Sequence, residues 1–372
     1  MASFQTERFG EPTPYLWNGM RVSDWLALLA SGRFDISLNC MPRILATTLA
    51  TPINSALGLI AELVHGRRID AVEIVPPVFV IGHWRSGTTF LHELLAEDPA
   101  LAAPTVYQCF FPSAFMVAPG LGPLVDRFLS PTRPFDNMAF AHDRPQEDEF
   151  ALANLGIGSP YSSLAFPRHG PRLAYLDLVD LPEDDRRRWE AAYVRLLKRL
   201  QLSHGKRLVL KSPLHTARVG TLARLFPGAR FIYVSRNPFD VFPSTVHTFR
   251  VMGSWQGLHN PGPTDDALKA MTYEMFERMF AAYDRDSPLV PAGHLTEVRY
   301  EDLVRDPEAT LREIYATLGL DGLPAALPRM RAYLESRKAY RRNAFTISDD
   351  DRTEIVRRWQ PYFRRFGYAE AA

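Results

Sequence analysis

The chain has 372 residues, 46% hydrophobic and 23% charged, which is enough to bury a sizeable core and reads as one large α/β domain in preference to two smaller ones. Its 43 basic residues against 42 acidic ones leave no global field of the kind a nucleic-acid partner needs, so any anion site must be local. Cys40 and Cys109 have neither disulfide-framework density nor metal-ligand spacing, which fits a reducing cytoplasm.

The opening MASFQTERFGEPTPYLW puts charges and prolines where a signal peptide needs a continuous apolar run, so export is not expected. Residues 1–70 read as a helical N-terminal extension: Trp17, Trp25, Leu26, Leu28 and Leu29 are followed by the apolar stretch 45–63 and the basic run His65-Gly66-Arg67-Arg68. Helices packed on the core are the preferred reading. The alternative is an interfacial helix, which would put a cytoplasmic protein in peripheral contact with a membrane. The best candidate for a span, 44–64, is broken by Pro52 and Asn54, and no segment reaches about 18 uninterrupted apolar residues, so no transmembrane helix is expected.

A core over 76–320 follows. After Pro76-Pro77, the run Val78-Phe79-Val80-Ile81 has the texture of a buried strand, and Leu91, Leu94 and Leu95 beyond a glycine-bounded loop have helical spacing. Between 98 and 195, prolines and aromatics such as Pro104, Phe110, Phe115 and Pro131 suggest inserted helices and loops over the carboxyl ends of the strands, where a ligand pocket would sit. A strand at 208–210, a helix carrying Leu214, Leu222, Leu225 and Phe226, a strand at 231–234 and a helix from Pro238 repeat the alternation. A strand at 295–300 then feeds a helix over 307–318, with Leu311, Ile314, Tyr315 and Leu318 on one face and Gly319 as its stop. This order predicts a parallel sheet of four or five strands covered by helices on both faces, with 321–372 as a helical, basic C-terminal segment.

Gly82-His83-Trp84-Arg85-Ser86-Gly87-Thr88-Thr89 has the G-x-x-x-x-G spacing of a phosphate loop between strand and helix, where backbone N–H groups converge on an oxyanion. Thr88 occupies the position of the nucleotide-triphosphatase lysine, and the positive charge has moved to Arg85. A kinase or triphosphatase, the runner-up, would also need a magnesium-binding acid at a strand end, where this chain has Lys211 and Arg236. In Arg230 to Ser244, Arg236 leaves a strand and Ser244 lies about two turns into the next helix, a spacing that lets the two grip one phosphate.

With Lys211-Ser212-Pro213-Leu214-His215 and Arg299-Tyr300-Glu301-Asp302-Leu303, these motifs resemble the sulfotransferases that use 3′-phosphoadenosine-5′-phosphosulfate (PAPS), especially the branches carrying R-S-G-T-T. The resemblance spans 77–320. It implies transfer of a sulfuryl group to a hydroxyl or amine of a small apolar acceptor. It gives the 5′-phosphosulfate to Arg85, Ser86, Gly87, Thr88 and Thr89, and the 3′-phosphate to Arg236 and Ser244. It also sets Lys211 near the leaving group and puts Arg341, in the basic stretch 337–343, where relatives close over the donor; a solvated basic helix end is the alternative there.

Sulfuryl transfer is in-line displacement, so cations on the donor (Arg85, Lys211) and a base on the acceptor carry the chemistry. Candidates for the base are Glu147, Glu149, His142 and His215, with Glu147 preferred because its acidic run is followed by apolar Phe150, Ala151 and Leu152. Tyr300, Glu301 and Asp302 read as structural. No histidine or cysteine cluster calls for a metal. A non-catalytic membrane-associated binding protein is the remaining alternative.

Overall fold

A computed structural model describes residues 15–338 and 343–370 of the chain. After a 3-10 turn at Leu16–Gly19, α1 (Val22–Ser31) and α2 (Met41–Asp70) form the N-terminal extension. α1 buries Trp25, Leu28 and Leu29, an ordinary inward apolar stripe. α2 instead turns Thr47, Thr51 and Asn54 inward. Asn54 Nδ2 donates to the carbonyls of Asn18 (2.7 Å) and Met20 (3.0 Å), and Thr47 Oγ1 donates to Asn18 Oδ1 (2.7 Å). By length and composition alone, Leu38–Asp70 could cross a membrane. The expected break at Pro52 and Asn54 is absent: Pro52 sits on the exposed side of a continuous helix, and Asn54 finds its partners within the protein.

Five parallel strands form the sheet: β1 (Val78–Ile81), β2 (Leu101–Ala102), β3 (Arg207–Lys211), β4 (Arg230–Ser235) and β5 (Leu295–Arg299), in the order β2-β3-β1-β4-β5. β1 is buried on both faces, which is why it reads as an unbroken apolar run. Phe79 stacks on Phe231 (centroids 5.4 Å apart) in one layer of core, while Val78, Val80, Ile232 and Val234 pack into the other. β2, an edge strand of two residues, is too short to leave a periodic signal.

The connections are helical. α3 (Thr88–Leu95) follows β1; α4 (Glu149–Asn154) and α5 (Glu183–His204) precede β3; α6 (Val219–Leu225) joins β3 to β4; α7 (Pro238–Gln256) and α8 (Asp265–Asp286) lead to β5. Past β5 come α9 (Tyr300–Arg305), α10 (Pro307–Leu318), α11 (Leu323–Ser336) and α12 (Asp349–Phe366). Tyr300 opens α9 rather than ending the strand. Leu214 lies in a 3-10 turn, Pro213–Arg218, and not yet in the helix expected there.

The strand order places the site. β1 is central, β3 and β4 flank it, and the chain leaves β1 toward one edge before returning on the other side. That is a topological switch point, where open α/β sheets bind ligands at the carboxyl ends. The loop after β1, Lys211 at the end of β3 and Arg236 just past β4 therefore stand side by side.

Candidate active site

The loop after β1 is built for close approach by an anion. Gly82 (φ +141°) and Gly87 (φ +100°) occupy conformations that favour glycine, and a Cβ on Gly87 would lie 2.2 Å from the Tyr300 ring. Gly82 N–H donates to Thr216 Oγ1 (2.7 Å), pinning the start of the loop. Gly87 caps α3 without any side-chain bond, leaving the first N–H groups of α3 to a ligand. Arg85, Gly87, Thr88 and Thr89 line a cavity of about 440 Å³ with Arg236, Ser244 and Tyr300. Ser86 does not line it: the residue is buried beneath the loop, its N–H donates to His83 O (3.2 Å) and its hydroxyl has no partner among the described residues.

The two phosphate elements touch. Arg85 Nε donates to Ser244 Oγ (2.9 Å), and Arg236 Nη1 donates to Arg85 O (2.9 Å). The Arg236 guanidinium lies over the Tyr300 ring (4.6 Å), and its buried Nε–H has no acceptor among the described residues. Arg85 Nη1 also donates to Asp136 Oδ2 (3.0 Å), and Arg133 grips the same carboxylate through Nε (3.0 Å) and Nη2 (2.7 Å). Burial alone would raise the Asp136 carboxyl, but Arg133 and then Arg85 hold it below its usual value, so it stays ionised.

A second, smaller cavity of about 60 Å³ shares Arg85, Thr88, Thr89 and Asp136 with the first. It is otherwise largely apolar, with Leu16, Phe110, Phe135, Phe140, Met252 and Trp255 in its wall, and Glu147 opens onto it. Lys211 Nζ donates to Glu147 Oε1 (2.6 Å) and the Tyr161 hydroxyl donates to Oε2 (2.5 Å), itself accepting from Trp84 Nε1 (2.8 Å). Burial, reinforced by the Glu147 charge, pushes the Tyr161 phenol well above its ordinary value, so it remains a donor. Burial depresses the Lys211 ammonium, with Glu147 opposing.

The acidic run is not a solvated helix start. Each acid is buried against its own partner: Glu147 on Lys211, Asp148 Oδ2 on His215 Nε2 (2.7 Å), and Glu149 on Arg218 through two bonds (2.6 and 3.2 Å). Of the four candidate bases, only Glu147 reaches a cavity described above. His215 is fully buried and also meets the Tyr193 hydroxyl (3.0 Å), Glu149 is fully buried, and His142 pairs with Asp126 at the surface (2.6 Å). His215, expected among the candidate bases, puts Nε2 on Asp148 and lines neither cavity. Lys211 faces Glu147 rather than the donor cavity. Arg341 lies outside the described residues. Tyr161, Trp84, Arg133 and Asp136 escaped sequence reasoning. Trp84 was visible inside the loop motif, while the others come from distant segments with no spacing to betray them.

A phosphate loop without its lysine at a parallel-sheet switch point, facing a cationic cavity, defines a P-loop-like α/β transferase; no described strand ends in the acid a magnesium-dependent enzyme would place there. The profile of the sulfotransferase family matches residues 76–324. The chain is 35% identical over 369 residues (99% of this chain, 95% of the relative) to the omega-hydroxy-beta-dihydromenaquinone-9 sulfotransferase Stf3 of Mycobacterium bovis, and equally to that of Mycobacterium tuberculosis. Its fold is shared with sulfotransferase STF9 from Mycobacterium avium (TM-score 0.70, 18% identity, 93% of this chain and 92% of that one). It is also shared with STF1 from Mycobacterium tuberculosis (TM-score 0.62, 19% identity, 84% and 86%). The chain belongs to the sulfotransferase family and is an enzyme that transfers a sulfuryl group.

Proposed function

We propose that the donor is PAPS, that the acceptor is a hydroxyl or amine of a small apolar molecule, and that no metal takes part. The observation that carries this reading is the meeting of a cationic cavity and an apolar one at Arg85, Thr88 and Thr89, with Glu147 facing them from the apolar side. In this reading the loop 82–89 holds the 5′-phosphosulfate, chiefly through backbone N–H groups and Arg85. Arg236 and Ser244 hold the 3′-phosphate. Glu147 takes the acceptor proton as the acceptor attacks sulfur in line, and the leaving phosphate gains the charge the loop stabilises. Lys211 and Tyr161 orient Glu147.

The aromatic and aliphatic wall of the smaller cavity suits an apolar alcohol, and the acceptor named for the relatives at 35% identity is a hydroxylated menaquinone derivative, which supports a lipid alcohol here. Another apolar cavity of about 120 Å³ beyond Trp84 and Tyr161, lined by Phe249, Leu268 and Met271, gives such an acceptor further room. We place the enzyme in the cytoplasm, in peripheral contact with a membrane through its N-terminal helices.

Calorimetry with adenosine 3′,5′-bisphosphate tests the donor, and incubation with sulfur-labelled PAPS and a cell extract reveals the acceptor as the labelled product. Absence of bisphosphate binding would overturn the reading. EDTA should leave turnover unchanged; a loss restored by a divalent cation would refute the metal-free mechanism.

Arg236→Ala is expected to cost PAPS about 2–4 kcal/mol of affinity, because a bidentate partner of the 3′-phosphate disappears from a partly closed site. Adenosine 5′-phosphosulfate lacks that phosphate and should bind the variant about as poorly as it binds the wild type. Equal losses for both donors, measured by calorimetry, would mean that Arg236 serves the loop through its bond to Arg85 O and does not read the 3′-phosphate.

A further inference from the structure

α2 is inside out. Between Ile44 and Ile69, which are buried at its ends, its inner face carries Thr47, Thr51, Asn54, Gly58 and Ala61, while its outer face carries Leu45, Leu49, Ile53, Ile60, Leu63 and Val64, with Leu49 75% and Leu63 77% exposed. A helix between core and water arranges these residue types the other way round. The stretch 44–61 contains no charged residue. An apolar ridge of this extent, on a helix about 45 Å long, marks a binding surface.

Three observations say what covers it. First, exposed arginines outnumber the acids near its ends: Arg33 before α2 and Arg67 and Arg68 in its last turn stand against Glu73 beyond it, whereas Asp35 is paired with Arg168, and the two acids of α2, Glu62 and Asp70, are turned back onto Arg195 of α5, with Arg199 also on Glu62. A second copy pairing antiparallel along α2 would bring basic end to basic end, which opposes self-association; an anionic surface complements both ends at once. Second, the inner face is hydrogen-bonded to the segment around Asn18 and Met20, so α2 stays on the protein and offers lipid only its outer side. Third, the ridge begins beside the acceptor cavity. Arg43 Nη1 donates to the carbonyls of Trp255 (3.1 Å) and Gly257 (2.9 Å), and Trp255 and Gln256 wall that cavity.

We propose that α2 lies flat in the headgroup boundary of an anionic lipid bilayer, outer face among the acyl chains, and that an acceptor dissolved in the bilayer passes along the start of α2 into the apolar cavity. The second half rests on the apolar-acceptor reading; the bilayer contact does not.

The test is co-sedimentation of the full chain with phosphatidylcholine vesicles, with and without phosphatidylglycerol, beside gel filtration and calorimetry with adenosine 3′,5′-bisphosphate. Wild type should sediment with the anionic vesicles and bind at least about 10-fold more weakly without phosphatidylglycerol. Leu49→Glu/Leu63→Glu should lose vesicle binding yet keep bisphosphate affinity, since both residues are exposed and distant in sequence from the donor cavity. Arg67→Glu/Arg68→Glu, which leaves the ridge intact, should lose the preference for anionic vesicles. Wild type remaining in the supernatant would overturn the proposal. So would a stable dimer that Leu49→Glu/Leu63→Glu dissolves, which would assign the ridge to a second copy. Failure of bisphosphate binding alone strikes the donor reading and leaves the bilayer contact standing.

Discussion

Arg85→Ala is expected to lower turnover by at least about 100-fold, a loss of about 3 kcal/mol of transition-state stabilisation, while the protein stays folded. Arg85 is the cation nearest the loop's centre, and its guanidinium lines both cavities at the place where donor and acceptor must meet. The fold should not suffer, because Asp136 keeps its bidentate partner Arg133 and no buried charge is left alone. Single-turnover assays with labelled PAPS, read beside a thermal melt, check both halves. Near wild-type turnover would remove Arg85 from the chemistry and leave it as a tie between the loop, Ser244 and Asp136.

Glu147→Gln should also reduce turnover by about 100-fold or more with donor affinity retained, since the amide keeps the shape but cannot take a proton. Burial complicates the single variant: Lys211, 1% exposed, would lose its counter-charge, and breaking a buried pair costs about 3–5 kcal/mol of stability. The double variant Glu147→Gln/Lys211→Met separates the two effects. It should recover much of the stability but none of the turnover. Recovery of both would show that Glu147 mattered only as the partner of Lys211, and the acceptor proton would then need another route.

What was legible in the sequence was whatever a single window could hold. The loop 82–89 announces itself by two glycines, an apolar strand before it and an apolar helix after it, all within about twenty residues. The helix Pro307–Leu318 does so by a stripe and a terminal Gly319. Partners supplied by distant chain segments were not legible: Tyr161 reaches Glu147 from one segment, and Asp136 reaches Arg85 from another. The acidic run illustrates the limit. Three consecutive carboxylates look solvated until the side chains of Lys211, His215 and Arg218 are known to face them. α2 shows a different limit, because periodicity locates an apolar stripe on a helix and is silent about which solvent the stripe meets.

That matching of three acids to three basic partners also works as a gauge of alignment. Lys211, His215 and Arg218 project from the end of β3 and the turn that follows, and Glu147, Asp148 and Glu149 meet them one to one. Slip the acidic segment by one residue, and Asp148 would face Lys211, Glu149 would face His215, and Arg218 would be left with uncharged Phe150 and no counter-ion in a fully buried site. That lone arginine would be a buried charge without its mate, which weighs against the slipped register. Upstream, 98–146 carries its own buried tie, Arg133 and Arg85 on Asp136, but the cavity-wall residues Phe110 and Phe140 stand outside it. Substitutions at those wall positions can reshape the apolar cavity while Glu147 keeps its pairing with Lys211.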